Sequence, residues 1–324
     1  MNVLLWHVHG SWTTAFVQGR HRYLLPVTPT RDPDGRGRAR TWNWPASVVE
    51  RSPAQLEHAD IDVVVLQRPR DEWLLHDWLG PRAARLPKAF VEHNVPQGMI
   101  NEMRHPVADR VDVELVHVTH TNALFWDGGS TPTRVIEHGV IDPGYCYVGD
   151  LPHIAVVVNE PGRRGRVVGA DLLAWLAEIA PVDVFGIGVR ALAGSFASAR
   201  HAVTLYEDLP QHALFDELAR RRVYVHPFRW TSLGLSLIEA MHLGMPVVAL
   251  ATTDAHDAIG GAGVVTNNLA RMEFELRSVL GDISLACARG IDARQRAAER
   301  FGLERFLEEW DALSSQLIAE RSVA

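Results

Sequence analysis

The sequence predicts an α/β protein made of two doubly wound parallel units. Short apolar, β-rich runs alternate with segments of helical period along most of the chain. The runs are uniformly apolar rather than alternating, as strands of a parallel sheet covered on both faces must be. Turn residues crowd together at 142–152, where Pro143-Gly144 and Gly149-Asp150-Leu151-Pro152 separate the first βα series from the second. A chain of 324 residues with 47% hydrophobic content holds two cores of about 150 residues each more comfortably than one.

In the first series the expected strands are 3–8, 23–27, 61–67, 89–92, 113–118 and 134–136. In the second they are 154–158, 182–186, 202–206, 223–226, 247–251 and 264–265, with helices expected at 170–179, 211–222, 235–242 and 269–280. Residues 303–318 carry Phe306, Leu307, Trp310, Leu313 and Leu317 at helical spacing, which predicts a terminal amphipathic helix. The polar, Gly-rich stretch 31–40 reads as a mobile surface loop, or as a contact for an acceptor or anionic lipid.

A formal net charge of -7 gives no bulk attraction to nucleic acid, so any anion site must be local. Cys146 and Cys287 stand far apart with no metal spacing, which fits a reducing cytoplasm. No run approaches the length of a membrane span and the start lacks a signal-peptide pattern, so a cytoplasmic protein is expected, with peripheral membrane contact left open. Sixteen histidines invite a metal reading, yet there is no HExxH, and His7/His9 and His117/His120 lack a third ligand at a recognisable spacing. No metal or cofactor is expected.

The most informative segment is 226–249. A strand ends at Pro227, Ser232-Leu233-Gly234 opens a helix from Leu235, and Gly244-Met245-Pro246 closes it before another strand. A helix that starts directly after a strand presents free N–H groups and the positive end of its dipole, and Gly234 lets a ligand approach the main chain. A phosphate suits that place. Glu239 follows inside an otherwise apolar helix, where packing gives no reason for a carboxylate. A second candidate, 159–166, sets Arg163, Arg164 and Arg166 among glycines after a strand, and guanidinium forks pair with phosphate oxygens.

These motifs resemble the nucleotide-sugar site of retaining GT-B glycosyltransferases of the family-four (glycosyl transferases group 1) type. Gly234-Leu235, Glu239-Ala240-Met241, Gly244 and Pro246-Val247-Val248-Ala249 fit the family pattern, as does Gly169-Ala170-Asp171-Leu172-Leu173 after the arginines. Thr231 stands where the family has its first Glu, near the donor sugar. The resemblance implies a GT-B fold of two Rossmann-like domains facing across a cleft. The domains would be 1–148, an acceptor domain joined by a returning helix at 304–320, and 149–303, the nucleotide-sugar domain.

By the same resemblance Glu239 holds the ribose, and Arg163 and Arg166 act on the leaving diphosphate. Arg164, Gly186, Gly188, Leu209, Thr231, Ser232, Leu233, Gly234 and Leu235 complete the donor site. In the first unit Gly10 and Ser11 supply backbone amides, and His93 lies beside the reacting sugar. The implied reaction moves a hexose from a nucleoside diphosphate sugar to a hydroxyl with retention and without a metal. The implied acceptor is a small molecule, a saccharide or a lipid-linked group. No enzymic nucleophile is required, which agrees with the absence of a recognisable triad or carboxylate pair in the sequence. The alternatives are a nucleotide-sugar epimerase and a degenerate GT-B protein that binds without transfer.

Overall fold

The computed structural model describes residues 1–323. The chain divides into two compact units, Met1–Val140 with Leu303–Ala324, and Ile141–Gly302.

The first unit holds β1 (Asn2–Leu5), β2 (Arg22–Pro26), β3 (Val48–Arg51), β4 (Val63–Leu66), β5 (Lys88–Glu92), β6 (Glu114–His117) and β7 (Thr133–Val135). Between them lie α1 (Gly10–Phe16), α2 (Pro53–Glu57), α3 (Pro69–Leu79) and α4 (His120–Phe125). All strand pairs are parallel, in the order β3-β2-β1-β4-β5-β6-β7. The central strands are apolar because helices cover both faces: every residue of β4 is buried, as are Val3, Leu4 and Leu5 of β1. Pro69 opens α3, and the buried Asp71 carboxylate accepts from the Gln67 and Arg68 amides at 3.0 and 3.1 Å, which fixes the turn after β4.

The second unit holds β8 (Leu151–Val157), β9 (Val182–Gly186), β10 (Val203–Glu207), β11 (Arg221–His226), β12 (Val247–Ala249) and β13 (Val264–Val265). Its helices are α5 (Pro161–Arg164), α6 (Leu173–Leu176), α7 (Gln211–Arg220), α8 (Leu235–Leu243), α9 (Ala255–Ile259), α10 (Leu269–Gly281) and α11 (Ile283–Phe301). This sheet is also wholly parallel, in the order β10-β9-β8-β11-β12-β13. The last helix, α12 (Leu303–Val323), belongs to the first unit, where Phe306, Trp310, Leu313 and Leu317 are buried. Trp310 meets the rings of Trp12 and Phe16 edge-on at 5.7 and 5.1 Å, and Arg305 donates to the His138 carbonyl at 2.7 Å.

Four local expectations change. Strand β3 was not legible, because Glu50 and Arg51 make half of a short edge strand polar. The helix expected at 170–179 shrinks to a 3₁₀ turn, Ala170–Leu172, and the single turn α6. The helix expected at 211–222 stops at Arg220, and Arg221 and Arg222 open β11. Two arginines after a helical pattern look like a basic last turn, but Arg221 is buried, bonded to Asp183 at 2.7 Å and to the Tyr206 hydroxyl at 2.7 Å. The stretch 31–40 is tied down rather than mobile: Arg31 pairs with both Glu50 oxygens at 2.8 and 2.9 Å, and Arg38 donates to the Trp44 and Pro45 carbonyls at 2.7 and 2.9 Å. No helix among the described residues is long and apolar enough to cross a membrane.

Asp183→Ala would remove one of the two carboxylates that pair with the buried Arg221 guanidinium, leaving Glu217. We expect a loss of about 1.5–3 kcal/mol, read as a lower urea midpoint, with native circular dichroism retained in buffer.

Candidate functional site

In a parallel sheet every strand ends on the same edge, and ligands bind where the strand order reverses. In the second unit that point lies between β8 and β11, flanked by the loops that follow them. After β8, Glu160 takes φ 53° and the chain enters α5. Gly169, at φ 74°, lies so close to the next loop that a Cβ would stand 2.2 Å from the Pro227 carbonyl oxygen. Arg229 ties the two loops together, donating to Asp171 at 2.5 and 3.0 Å and to the Arg166 carbonyl at 2.9 Å. Asp171 belongs to the Gly-Ala-Asp-Leu-Leu motif read from the sequence; Arg229 was missed, although it sits in the most informative segment.

The neighbouring loops join the same rim. Gly186 has φ 137°, and a Cβ there would stand 2.1 Å from the Val158 carbonyl oxygen, so only glycine fits. The Asn159 side chain accepts from the Ile187 amide at 2.9 Å, and Glu207 accepts from the Gly188 and Arg190 amides at 2.6 and 2.9 Å. The Asp208 amide donates to the Gly186 carbonyl at 3.1 Å, and half-buried Leu209 leads into α7. Gln211, the first residue of α7, then donates to Glu239 at 3.2 Å. The loops after β8, β9, β10 and β11 thus form one bonded border around the switch point. Gln211 carried no sequence signal, and Glu207 carried one only as part of the 205–210 segment, which resembles the family's nucleobase loop; the bonds of both depend on partners 17–28 residues away.

The three arginines differ in what they are free to do. Exposed Arg163 pairs with Glu160, and exposed Arg166 pairs with Asp171 at 2.9 Å. Arg164 is half-buried, and its guanidinium makes no hydrogen bond or ion pair among the described residues. Burial, then Arg163, holds its pKa below the usual value, so an anion beside it would restore lost stabilisation.

On the other flank, the Thr231 hydroxyl donates to the Ser232 carbonyl at 2.8 Å. Ser232 and Leu233 are buried, and the Ser232 hydroxyl has no partner among the described residues. Gly234 precedes α8 without a side-chain cap, and a Cβ there would meet the His226 ring at 2.8 Å and the Phe228 ring at 3.2 Å. The start of α8 at Leu235 is therefore pressed against the end of β11. Burial drives the His226 pKa down to about 3, so this ring is neutral beneath the turn.

Glu239 lies a little over one turn into α8 and is only 7% exposed. Gln211 is its one hydrogen-bond partner among the described residues, and burial pushes its pKa up to about 7. A carboxylate has room for several donors, so this group is under-satisfied.

The first sheet reverses between β1 and β4. Gly10 begins α1 there, with the Trp42 ring 3.5 Å from where its Cβ would be, and Ser11 is half-buried beside it. His93, after β5, is buried, with its ring 4.0 Å from that of His9 and edge-on to Trp12 at 5.2 Å. Its Nε2 bonds Gln67 Oε1 at 3.1 Å. Burial drives the His93 pKa well below the usual value and that of His9 to about 4. Next to it, the Glu92 carboxylate accepts from the Asn94 amide at 2.7 Å and holds His105 at 3.1 Å. Among the described residues there is no group of three or more His, Cys, Asp or Glu arranged to hold a metal.

Residues 177–282 match the family model described as Glycosyl transferases group 1. No curated protein matched the sequence. Among solved structures, the chain is similar to a sucrose-phosphate synthase from Thermosynechococcus elongatus at 16% identity and a TM-score of 0.73, covering 99% of this chain and 100% of that one. It is also similar to HepE of Anabaena in complex with UDP, at 13% identity and 0.68 over 97% and 99% of the two chains. A glycosyltransferase from Rickettsia africae ESF-5 gives 14% and 0.68 over 98% of each. At these identities the likeness is one of fold, and that fold is GT-B.

The raised pKa of Glu239 makes a stability prediction. Its folded pKa lies above its unfolded value, so its contribution is intact at low pH and is lost as pH rises from about 4.5 through about 7. Glu239→Gln should therefore stabilise the ligand-free protein by about 3 kcal/mol at pH 8 and by little at pH 5. Thermal melts of both proteins at the two pH values measure it.

Proposed function

We propose, on the premise that residues 177–282 form a glycosyl transferases group 1 domain, that the chain is a glycosyltransferase using a nucleoside diphosphate hexose. The observation that carries this reading is Glu239, a buried and under-satisfied carboxylate behind an uncapped helix start. A ribose diol supplies the two hydroxyl donors the carboxylate lacks. The amides at the start of α8, the orphaned Ser232 hydroxyl and the free Arg164 guanidinium then face a diphosphate. Arg163 and Arg166 add positive potential from the same loop, and Asp171 with Arg229 hold that loop in place.

The reaction is transfer to an acceptor hydroxyl with retention of configuration and without a metal. Charge growing on the departing diphosphate is taken by guanidinium groups and backbone amides, so catalysis is positioning and electrostatic stabilisation. The diphosphate itself takes the proton of the attacking hydroxyl, and no enzymic nucleophile is involved. The acceptor is a saccharide, a small molecule or a lipid-linked group. The Anabaena neighbour was solved with UDP and with UDP-glucose, which makes a uridine donor the first to test.

One observation favours a second reading, a protein that binds a nucleotide sugar without transfer. The Thr231 hydroxyl donates its proton to the Ser232 carbonyl, which leaves it only as an acceptor toward a sugar, where the family pattern has a charged carboxylate. Mass-spectrometric screening of common donors separates the two: slow donor hydrolysis supports the transferase, and none under any condition supports the binder.

Calorimetry tests the donor site directly. Glu239→Ala should weaken binding of the preferred nucleoside diphosphate by about 10- to 100-fold. Unchanged affinity would sink the assignment of Glu239. Because hydroxyl donors favour the ionised carboxylate, affinity for the matching diphosphate hexose should rise with pH through about 7, and this dependence should vanish in Glu239→Gln.

A further inference from the structure

Gln67 lies at the switch point of the first sheet, in the turn after β4, and is buried. Its backbone amide is held by Asp71 at 3.0 Å, and its side-chain amide donates to the Trp6 carbonyl at 2.7 Å. That second bond fixes which end of the amide is which: the nitrogen faces Trp6, so the oxygen faces His93. An oxygen only accepts, so the 3.1 Å contact requires a proton on His93 Nε2. His93 Nδ1 then carries a lone pair and has no hydrogen bond among the described residues. The ring cannot easily turn away, since the His9 ring lies tilted against it at 4.0 Å and Trp12 meets it edge-on at 5.2 Å.

We propose that Gln67 is a positioning residue that holds His93 as the neutral tautomer protonated on Nε2, so that Nδ1 is presented as a hydrogen-bond acceptor to a substrate hydroxyl. The chain Trp6–Gln67–His93 sets the direction of every proton in it. Reversing the His93 tautomer would leave two acceptors facing each other, a buried polar clash. The ligand group that such a nitrogen selects is a hydroxyl, as on a sugar, rather than a carboxylate or phosphate, which would meet a bare lone pair. The burial that holds His93 neutral also keeps it from serving as a proton donor near neutral pH. The second half of the proposal rests on the reading that His93 faces the substrate; the tautomer does not.

Imidazole 15N correlation spectra of the full-length protein, with the His93 signals assigned by a His93→Asn variant, test the first half without any activity. From pH 6 to 9 His93 should stay in the Nε2–H form. Gln67→Leu should yield a mixture of tautomers. Gln67→Glu should keep the Nε2–H form and bring a His93 titration into the observed range. A wild-type Nδ1–H form, or a pure Nε2–H form in folded Gln67→Leu, overturns the proposal. Should Gln67→Leu fail to fold, Gln67→Glu decides: no upward move of the His93 titration counts against the contact. For the second half, Gln67→Leu should lower kcat by about 10- to 100-fold with donor KM little changed, and Gln67→Glu should shift the acid limb of the pH profile upward. Altered spectra with unaltered kcat and pH profile would overturn the role of Nδ1 while leaving the donor-site reading intact.

Discussion

The close approach of two loops across the switch point of the second sheet is the constraint on which the rest of the proposed donor site depends. The loop after β8 carries the arginines, and the loop after β11 leads into α8. They meet where Gly169 has no room for a side chain beside Pro227, and Arg229 clasps Asp171 over the contact. A methyl group at Gly169 would need to push a backbone carbonyl away at a φ that L side chains rarely adopt. Gly186 repeats the logic one strand further on, against the Val158 carbonyl. Because these are main-chain contacts, the rim is set by the sheet itself, and side chains such as Arg164 and Glu239 need only project from it.

What was legible in the sequence follows the same division between local pattern and distant partners. The two βα series, the stop at Pro227 and the helix start at Gly234 are written in period, proline and glycine, and the structure has them. Arg221 was misread because a basic pair after a helical pattern looks like a helix end, and nothing local reveals the buried Asp183 that draws it into a strand. β3 was invisible because an edge strand buries only one side of its hydrogen-bonding register and tolerates Glu50 and Arg51. The 31–40 stretch looked mobile from its glycines and charges, yet one bidentate Arg31–Glu50 pair and the carbonyls gathered by Arg38 order it. In the site, Glu239 stood out as a carboxylate without a packing reason. Gln211 and Gln67 did not, since an amide at a strand or helix end is ordinary until its partner is known.

The energetics of the second unit are those of a site kept incomplete. Among the described residues, Glu239 is buried with one neutral donor, the Ser232 hydroxyl has none, and no carboxylate is hydrogen-bonded to the Arg164 guanidinium. Each of these works against the ligand-free fold, and each is a group that a diol or an anion completes. Satisfied polar groups nearby show that the fold is able to pair its charges: Arg221 has Asp183 and Tyr206, and Arg229 has Asp171. Arg164, Ser232 and Glu239 all belong to the rim around the switch point, which is the pattern expected where stability yields to binding.

The strand-end edge of the first unit carries the opposite chemistry. His9, His93 and His117 are all held neutral by burial, and the Glu92 carboxylate near them is occupied by Asn94 and His105. A neutral imidazole with a fixed tautomer is a directional acceptor whose effect does not depend on net charge. Such groups orient hydroxyls without adding net charge. Guanidinium and amide groups in the second unit suit an anionic ligand. The buried Trp6–Gln67–His93 chain in the first unit suits a neutral hydroxyl, because its proton order is fixed by the Trp6 carbonyl and not by charge.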